Sequence, residues 1–113
     1  MDRIANYEKI ILKLLREYLD YWSRGQDDAE IQLITDLERK HYQLVRFGWT
    51  EGYDFVHYPL YHLFIRNGKI WIQANNTDRS VADDLVAAGV PKSEIVLGVL
   101  HPEDRAYSEY GVG

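Results

Sequence analysis

Apolar residues near the start of the chain recur at alternating steps of three and four, which predicts an amphipathic helix. The apolar stripe is formed by Ile4, Tyr7, Ile11, Leu14, Tyr18 and Tyr21, and it is widened by Ile10, Leu15 and Trp22. Gly25 is the predicted stop, because glycine adopts the left-handed conformation that ends many helices. We expect this helix to pack on a sheet, since a coiled-coil seam usually repeats over more heptads.

The next stretch, EIQLITDLERKHYQLVRFGW, fits two interpretations. The spacing of Ile34, Leu37, His41 and Leu44 fits a helix. The alternation fits two strands, 31–35 and 41–47, joined by a charged turn over 36–40. The aromatic and β-branched residues after position 41 favour a strand there. Composition leaves the first half open between helix and strand.

Asn67-Gly68 is the strongest short signal in the chain, because both central residues of a type I′ hairpin turn need positive φ. A two-residue loop there places Phe64 opposite Trp71 and His62 opposite Gln73. The pleat then gives one mainly aliphatic face, which the first helix would cover: Tyr61, Leu63, Ile65, Ile70, Ile72 and Ala74. The opposite face, called the hairpin face below, carries His62, Phe64, Arg66, Lys69, Trp71 and Gln73.

Downstream of the hairpin, Thr77 or Ser80 can cap a short helix whose buried side is Val81, Ala82, Leu85 and Val86 and which ends at Gly89. The run IVLGVL over 95–100 is read as a buried strand or extended segment. The polar tail is expected either to dock through Tyr107 and Tyr110 or to fray.

Composition narrows the class of protein. The 113 residues fit one domain, 1–113, and 46% hydrophobic residues indicate a folding chain. The chain has no cysteine, which excludes disulfides and thiolate metal sites and suits a reducing cytoplasm. We find no signal peptide or membrane span. A net charge of −5 argues against broad binding to DNA or an anionic membrane.

Candidate chemistry is sparse. His57 and His62 are five apart in an extended segment, so they are expected on opposite faces and unable to share a metal. His41 and His101 have no second ligand at suitable spacing. The acid-x-lysine element at Glu38 falls in the predicted turn, and there is neither a nucleophile elbow nor a phosphate-binding glycine loop. The sequence therefore predicts no metal, no cofactor and no catalytic residue.

Three segments, HYQLVRFGW, GKIWIQ and GVPKSEIVLGVLHPEDR, occur in an order that resembles the XisI family of cyanobacteria. The resemblance covers nearly the whole chain after the first helix. Positions that match the family pattern are His62, Lys69, Ile70, Trp71, Ile72, Gln73, Gly89, Val90, Pro91, Ile95 and Arg105. The resemblance implies strands for the ambiguous stretch. The expected fold class is then α+β: an N-terminal helix on an antiparallel meander of about four strands, followed by a short helix and a C-terminal extended segment.

The resemblance also implies a function. Members of the family are known as excision controlling factors for the fdxN element, a DNA segment removed during heterocyst differentiation, and they act with a companion, XisH. This implies a non-enzymatic regulatory protein that works through protein contacts. The alternative is a small-ligand-binding protein or enzyme that uses His62, Trp71 and Gln73. Direct DNA binding through Arg46, Arg66 and Lys69 is a weaker variant of the first interpretation.

The hairpin face is the predicted site of partner binding or of a homodimer. An aromatic pair flanked by polar residues is typical of interfaces, and a two-fold axis would place the patch against itself. The alternative is that the segment from Ile95 to Tyr110 folds back over this face within one chain.

Overall fold

A computed structural model describes residues 2–24 and 29–113. Its helices and strands are α1 Arg3–Trp22, β1 Glu30–Asp36, β2 His41–Trp49, β3 Phe55–Arg66, β4 Lys69–Asn75, α2 Val81–Ala87 and β5 Ile95–Leu97. Two 3₁₀ helices, Lys92–Glu94 and Pro102–Tyr107, flank β5. The sheet order is β1-β2-β3-β4-β5. The predicted α+β class is confirmed.

The sheet has one strand more than the predicted meander. Strands β1 to β4 pair antiparallel with their chain neighbours. β5 joins β4 in parallel, with Ile70 opposite Ile95 and Ile72 opposite Leu97. The parallel direction follows from the crossover through α2, since a parallel partner cannot be reached by a tight turn.

Helix α1 begins where the Asp2 side chain accepts a hydrogen bond from the Ile4 amide, at 3.0 Å. Its buried residues are Tyr7, Ile11, Leu15 and Tyr18. The direction of the predicted stripe is confirmed, but Ile4 and Tyr21 are exposed, at 38% and 53%. The helix ends at Trp22, and the predicted stop at Gly25 lies outside the described residues.

The ambiguous stretch forms two strands, as the resemblance implied. The turn between them is held by Asp36, whose Oδ1 accepts hydrogen bonds from the amides of Glu38 and Arg39. Lys40 closes the turn with φ of 63°. A charged turn, rather than a nuclease element, is therefore what Glu38 to Lys40 form.

The hairpin between β3 and β4 has the predicted turn. Asn67 and Gly68 have φ of 54° and 73°, as a type I′ turn requires. The predicted pairs next to the turn are confirmed, including Phe64 opposite Trp71 and Leu63 opposite Ile72.

Replacing Gly68 with valine should destabilise the protein by about 1–2 kcal/mol, because a β-branched residue is strained at positive φ. A Cβ at Gly68 would meet only the end of the Arg3 side chain, at 3.7 Å, so the cost comes from the backbone. Thermal unfolding measures it. Gly52→Val is the matched control, because Gly52 lies outside the positive-φ region. Equal melting temperatures for the two variants would contradict the assigned turn.

One core lies between the helices and the sheet. The aliphatic face of the hairpin is buried as predicted for Leu63, Ile65, Ile70 and Ile72. Helix α2 contributes Val81, Ala82 and Leu85 to the same core. Its N-cap is Ser80, whose Oγ accepts from the Asp83 amide at 3.3 Å. Gly89, with φ of 102°, follows its end as predicted.

Three tyrosine–carboxylate hydrogen bonds tie α1 to the rest of the core. Tyr7 donates to Glu94, Tyr18 donates to Asp84, and Tyr42 on β2 donates to Glu8. All three tyrosines are buried. Burial, together with hydrogen bonds to the carboxylates and their charge, raises the pKa of each phenol, to about 12 for Tyr7.

No helix in the described ranges is long and apolar enough to cross a membrane.

Candidate partner-binding face

The centre of the hairpin face is a layer of stacked rings and one guanidinium group. Phe64 and Trp71 stack with centroids 5.5 Å apart and planes 14° apart. The Arg66 Cζ lies 4.7 Å from the Phe64 ring centre and 5.5 Å from that of Trp71. The Trp71 Nε1 donates to the carbonyl of Arg66, at 3.3 Å. Contacts with Phe64 and Arg66 on β3 therefore fix the orientation of the indole.

His41 extends this layer onto β2, and sequence reasoning left it out. His41 pairs with Phe64 across β2 and β3, and the two rings stack at 5.0 Å. Its Nδ1 lies 3.0 Å from the Nε2 of His62, a hydrogen bond between the rings. Burial, and then the charge of His41, lower the pKa of His62. The neutral form of the His62 ring is therefore favoured.

The predicted placement of His57 and His62 on opposite faces is wrong. The pairing of β2 with β3 shifts between Leu44 and Val45, which leaves Leu60 as an extra residue on β3. After this β-bulge, His57 pairs with Phe47 while His62 pairs with Gln43. Phe47 and Gln43 share a face of β2, so His57 and His62 share a face as well, contrary to the expectation from simple alternation.

A second bulge changes the predicted pairing at the end of the hairpin away from its turn. The register shifts between His62 and Leu63, so His62 pairs with Ala74 and Gln73 becomes the extra residue on β4. The predicted pairing of His62 with Gln73 is therefore wrong, as is the placement of Ala74 on the aliphatic face. Gln73 is exposed and lies against Gly98, where a Cβ would approach its Oε1 to 2.6 Å.

The C-terminal segment covers one edge of the hairpin face. The Arg105 Cζ lies 5.1 Å from the Trp71 ring centre, and the Lys69 Nζ donates to the Gly113 carbonyl at 2.8 Å. Val96, opposite Trp71 on β5, is fully buried. Tyr107 is exposed, whereas Tyr110 packs against the core. The segment therefore docks through Tyr110, and the rest of the face, with exposed Arg66 and Gln73, stays open.

The open side of the sheet continues toward its other end. Trp49 and Phe55 form the last pair of β2 and β3, are 59% and 62% exposed, and contact each other edge to face at 5.4 Å. Ile34 on the edge strand β1 is exposed on the same side. Aromatic and aliphatic side chains thus extend across the side that α1 and α2 do not cover.

The structure also has a cleft away from the hairpin face. A cavity of about 660 Å³ opens beyond the C-terminal end of α1, between Trp22, Ile31, Arg46, Tyr58 and Asn76. Neither His62, Trp71 nor Gln73 lines it. This cleft therefore gives no support to the alternative of a small-ligand site built on those three residues. Within residues 2–24 and 29–113, no group of three or more His, Asp or Glu side chains could hold a metal ion.

These features define an α+β protein with a mixed five-stranded sheet, covered by helices on one side and aromatic on the other. A family model described as XisI protein matches residues 1–112. The chain belongs to the XisI family.

Solved structures show the same relationship. One is a XisI-like protein from Anabaena variabilis, 43% identical, with a TM-score of 0.89 over 97% of this chain and 99% of that one. Another is the fdxN element excision controlling factor XisI from Anabaena variabilis, 31% identical, with a TM-score of 0.85 over 99% of this chain and 100% of that one. A search of curated proteins gives no match.

Proposed function

We propose that this chain is a non-enzymatic regulatory protein of the cytoplasm that acts by binding a companion protein, one similar to XisH. The family supports the regulatory role, since a structural relative is named as the fdxN element excision controlling factor. The observation that carries the proposal is the aromatic side of the sheet, over which neither α1 nor α2 packs.

The physical argument is the cost of leaving such a surface in water. Each square ångström of exposed apolar area forgoes about 25 cal/mol, and contiguous patches of this kind usually mark interfaces. Interface centres are rich in Trp, Tyr, Phe and Arg. On the hairpin face, Trp71 and the exposed Arg66 pack on Phe64, which is only 6% exposed. Phe64 therefore orients the indole and the guanidinium, and these two groups are what a partner would meet.

The same side of the sheet supports a homodimer as part of this proposal. Trp49, Phe55 and Ile34 are exposed beyond the hairpin face, on a surface that a two-fold axis could pair with itself. Light scattering of the wild type over a range of concentrations tests it, and a monomer at high micromolar concentration would exclude the dimer.

Replacing Trp71 with glutamate should weaken capture of an XisH-like protein from the same genome by at least about tenfold, because it puts a charge at the centre of the face. Copurification after coexpression, followed by calorimetric titration, gives the measurement. Tyr53→Glu is the matched control, since Tyr53 is 91% exposed in the β2–β3 turn, at the opposite end of β3.

Circular dichroism and the melting temperature show whether the Trp71 variant is folded. If it unfolds because Arg105 loses its ring partner, Trp71→Ala serves in its place. A folded variant that binds the companion like the wild type would contradict the assigned face. No binding of the companion by the wild type would contradict the proposed function.

A further inference from the structure

The basic residues of the described chain differ in their partners. Six of them form ion pairs with carboxylates: Arg3, Arg24, Arg39, Lys40, Arg79 and Lys92. Arg66, Lys69 and Arg105 behave differently: no ion pair in the described ranges includes any of them. In a chain with a net charge of −5, these three residues form a cluster of cations that has no Asp or Glu partner.

Two of these cations lie against the Trp71 indole, and the third is next to them on the sheet. Arg66 and Arg105 place their Cζ atoms 5.5 Å and 5.1 Å from the centre of that ring. Lys69 is the cross-strand neighbour of Arg66 and is held by the Gly113 carbonyl. Gly113 also lies close to Trp71 and Arg105. A Cβ built on Gly113 would be 3.4 Å from Trp71 Cη2 and 3.8 Å from Arg105 Nη1. The chain therefore arranges the cluster from β3, β4 and the C-terminal segment.

Ring contacts position the guanidinium groups of Arg66 and Arg105, and neither group has an acceptor in the described chain. Within residues 2–24 and 29–113 neither donates a hydrogen bond, and the Nε of Arg105 is buried without a partner. A buried donor without an acceptor is costly, so such groups usually have a purpose. A guanidinium held over a ring keeps a planar set of donors that matches a carboxylate or phosphate.

We propose that the hairpin face binds an acidic segment of a partner protein, whose carboxylates pair with Arg66 and Arg105 around the Trp71 indole, with Lys69 at the rim. This inference rests on the proposed function and specifies the chemistry of the partner. The ordering cost of the two arginines is already met by their ring contacts, which favours binding.

A protein segment fits better than nucleic acid. Glu103 and Asp104 are exposed in the same 3₁₀ helix as Arg105, immediately before it. A phosphate backbone carries a charge at every nucleotide and needs a continuous basic track. Here the basic cluster is short and bordered by acids, so a segment with a few carboxylates meets less repulsion.

The test is a titration of the isotopically labelled full-length protein, followed by NMR. The probe is a short peptide of glutamates and leucines, compared with the same peptide carrying glutamine in place of every glutamate. The glutamate peptide should shift the Trp71 indole signal and the Nε–H signals of Arg66 and Arg105, and the glutamine peptide should not. Added salt should weaken the effect. Single Trp71→Phe and Arg→Lys variants assign the signals.

The double variant Arg66→Gln with Arg105→Gln should bind the glutamate peptide about tenfold more weakly. The matched control is Lys13→Gln with Arg16→Gln, which removes the same charge from the exposed side of α1 and should bind like the wild type. Arg66→Lys with Arg105→Lys keeps the charge and loses the planar donors, so it should fall between the two. The double lysine variant also replaces the double glutamine variant in the binding test if the latter does not fold.

Equal binding by the folded double variant and the wild type would overturn the inference. Stronger shifts of the same signals with duplex DNA would assign the cluster to nucleic acid. Shifts of these signals on dilution without peptide would assign the cluster to contact with a second copy of the chain. Either result would overturn the inference. Companion capture that depends on Trp71 but not on the two arginines would overturn it while leaving the proposed function intact. Binding of the glutamate peptide without any binding of the companion would contradict the proposed function and leave the acidic-segment site intact.

Discussion

Replacing Leu63 with alanine should lower the free energy of unfolding by about 3 kcal/mol. Leu63 has no exposed surface and lies on β3, the central strand, between Tyr42 on β2 and Ile72 on β4. The substitution deletes buried apolar atoms together with their packing contacts. It leaves a cavity that the flanking strands cannot close. Urea unfolding monitored by circular dichroism gives the value.

The matched control for this variant is the same substitution at Leu37, which is 52% exposed in the turn between β1 and β2. It should cost less than about 0.5–1 kcal/mol, since little is buried there. Similar losses at the two positions would show that Leu63 is not at the centre of the core.

The second large effect is alkaline unfolding. The protein should be stable up to about pH 10, and its melting temperature should then fall by about 10 °C or more by about pH 12. The reason is that Tyr7, Tyr18 and Tyr42 are buried against carboxylates, and their pKa values in the folded state lie above the ordinary value of 10.0. Melting curves across this range provide the measurement.

The direction follows from the difference between the two states. A phenol with a raised pKa holds its proton in the folded protein after the unfolded chain has released it. The stabilisation is therefore complete below the unfolded pKa of about 10 and is lost as the pH rises toward the folded value, which is about 12 for Tyr7.

Tyr18→Phe tests which groups are responsible. It removes the phenol that donates to Asp84, so the variant should lose less stability than the wild type between about pH 10 and about pH 12. Tyr53→Phe changes an exposed phenol and should follow the wild-type curve. An identical slope for Tyr18→Phe and the wild type would contradict the assigned cause.

Local chemistry explains what the sequence predicted well. The Asn67-Gly68 turn depends only on the φ preferences of two residues, and it fixes the pairs beside it, including Phe64 with Trp71. Helix α1 was likewise predicted from its own periodicity. The stretch that became β1 and β2 was not decided by local pattern, because its apolar spacing fits both periods; the family resemblance decided it.

The errors come from non-local structure. The bulges at Leu60 and Gln73 each insert one residue, and side chains on the side of each bulge away from the Asn67-Gly68 turn change face relative to simple alternation. This is why His57 and Ala74 were misplaced. Placing His41 in the candidate site needs the shifted register of β2 with β3, and Arg105 reaches Trp71 only through the fold of the C-terminal segment.

The order of the strands in the sheet matches their order in the chain, which bears on how the protein forms during synthesis. Each of β2, β3 and β4 pairs with the strand made just before it, so the meander can grow as the chain leaves the ribosome. β5 must wait for α2 to be made and to cross over. The Trp71 face therefore reaches its final form last, and a nascent chain shows this aromatic surface before its own C-terminal segment arrives.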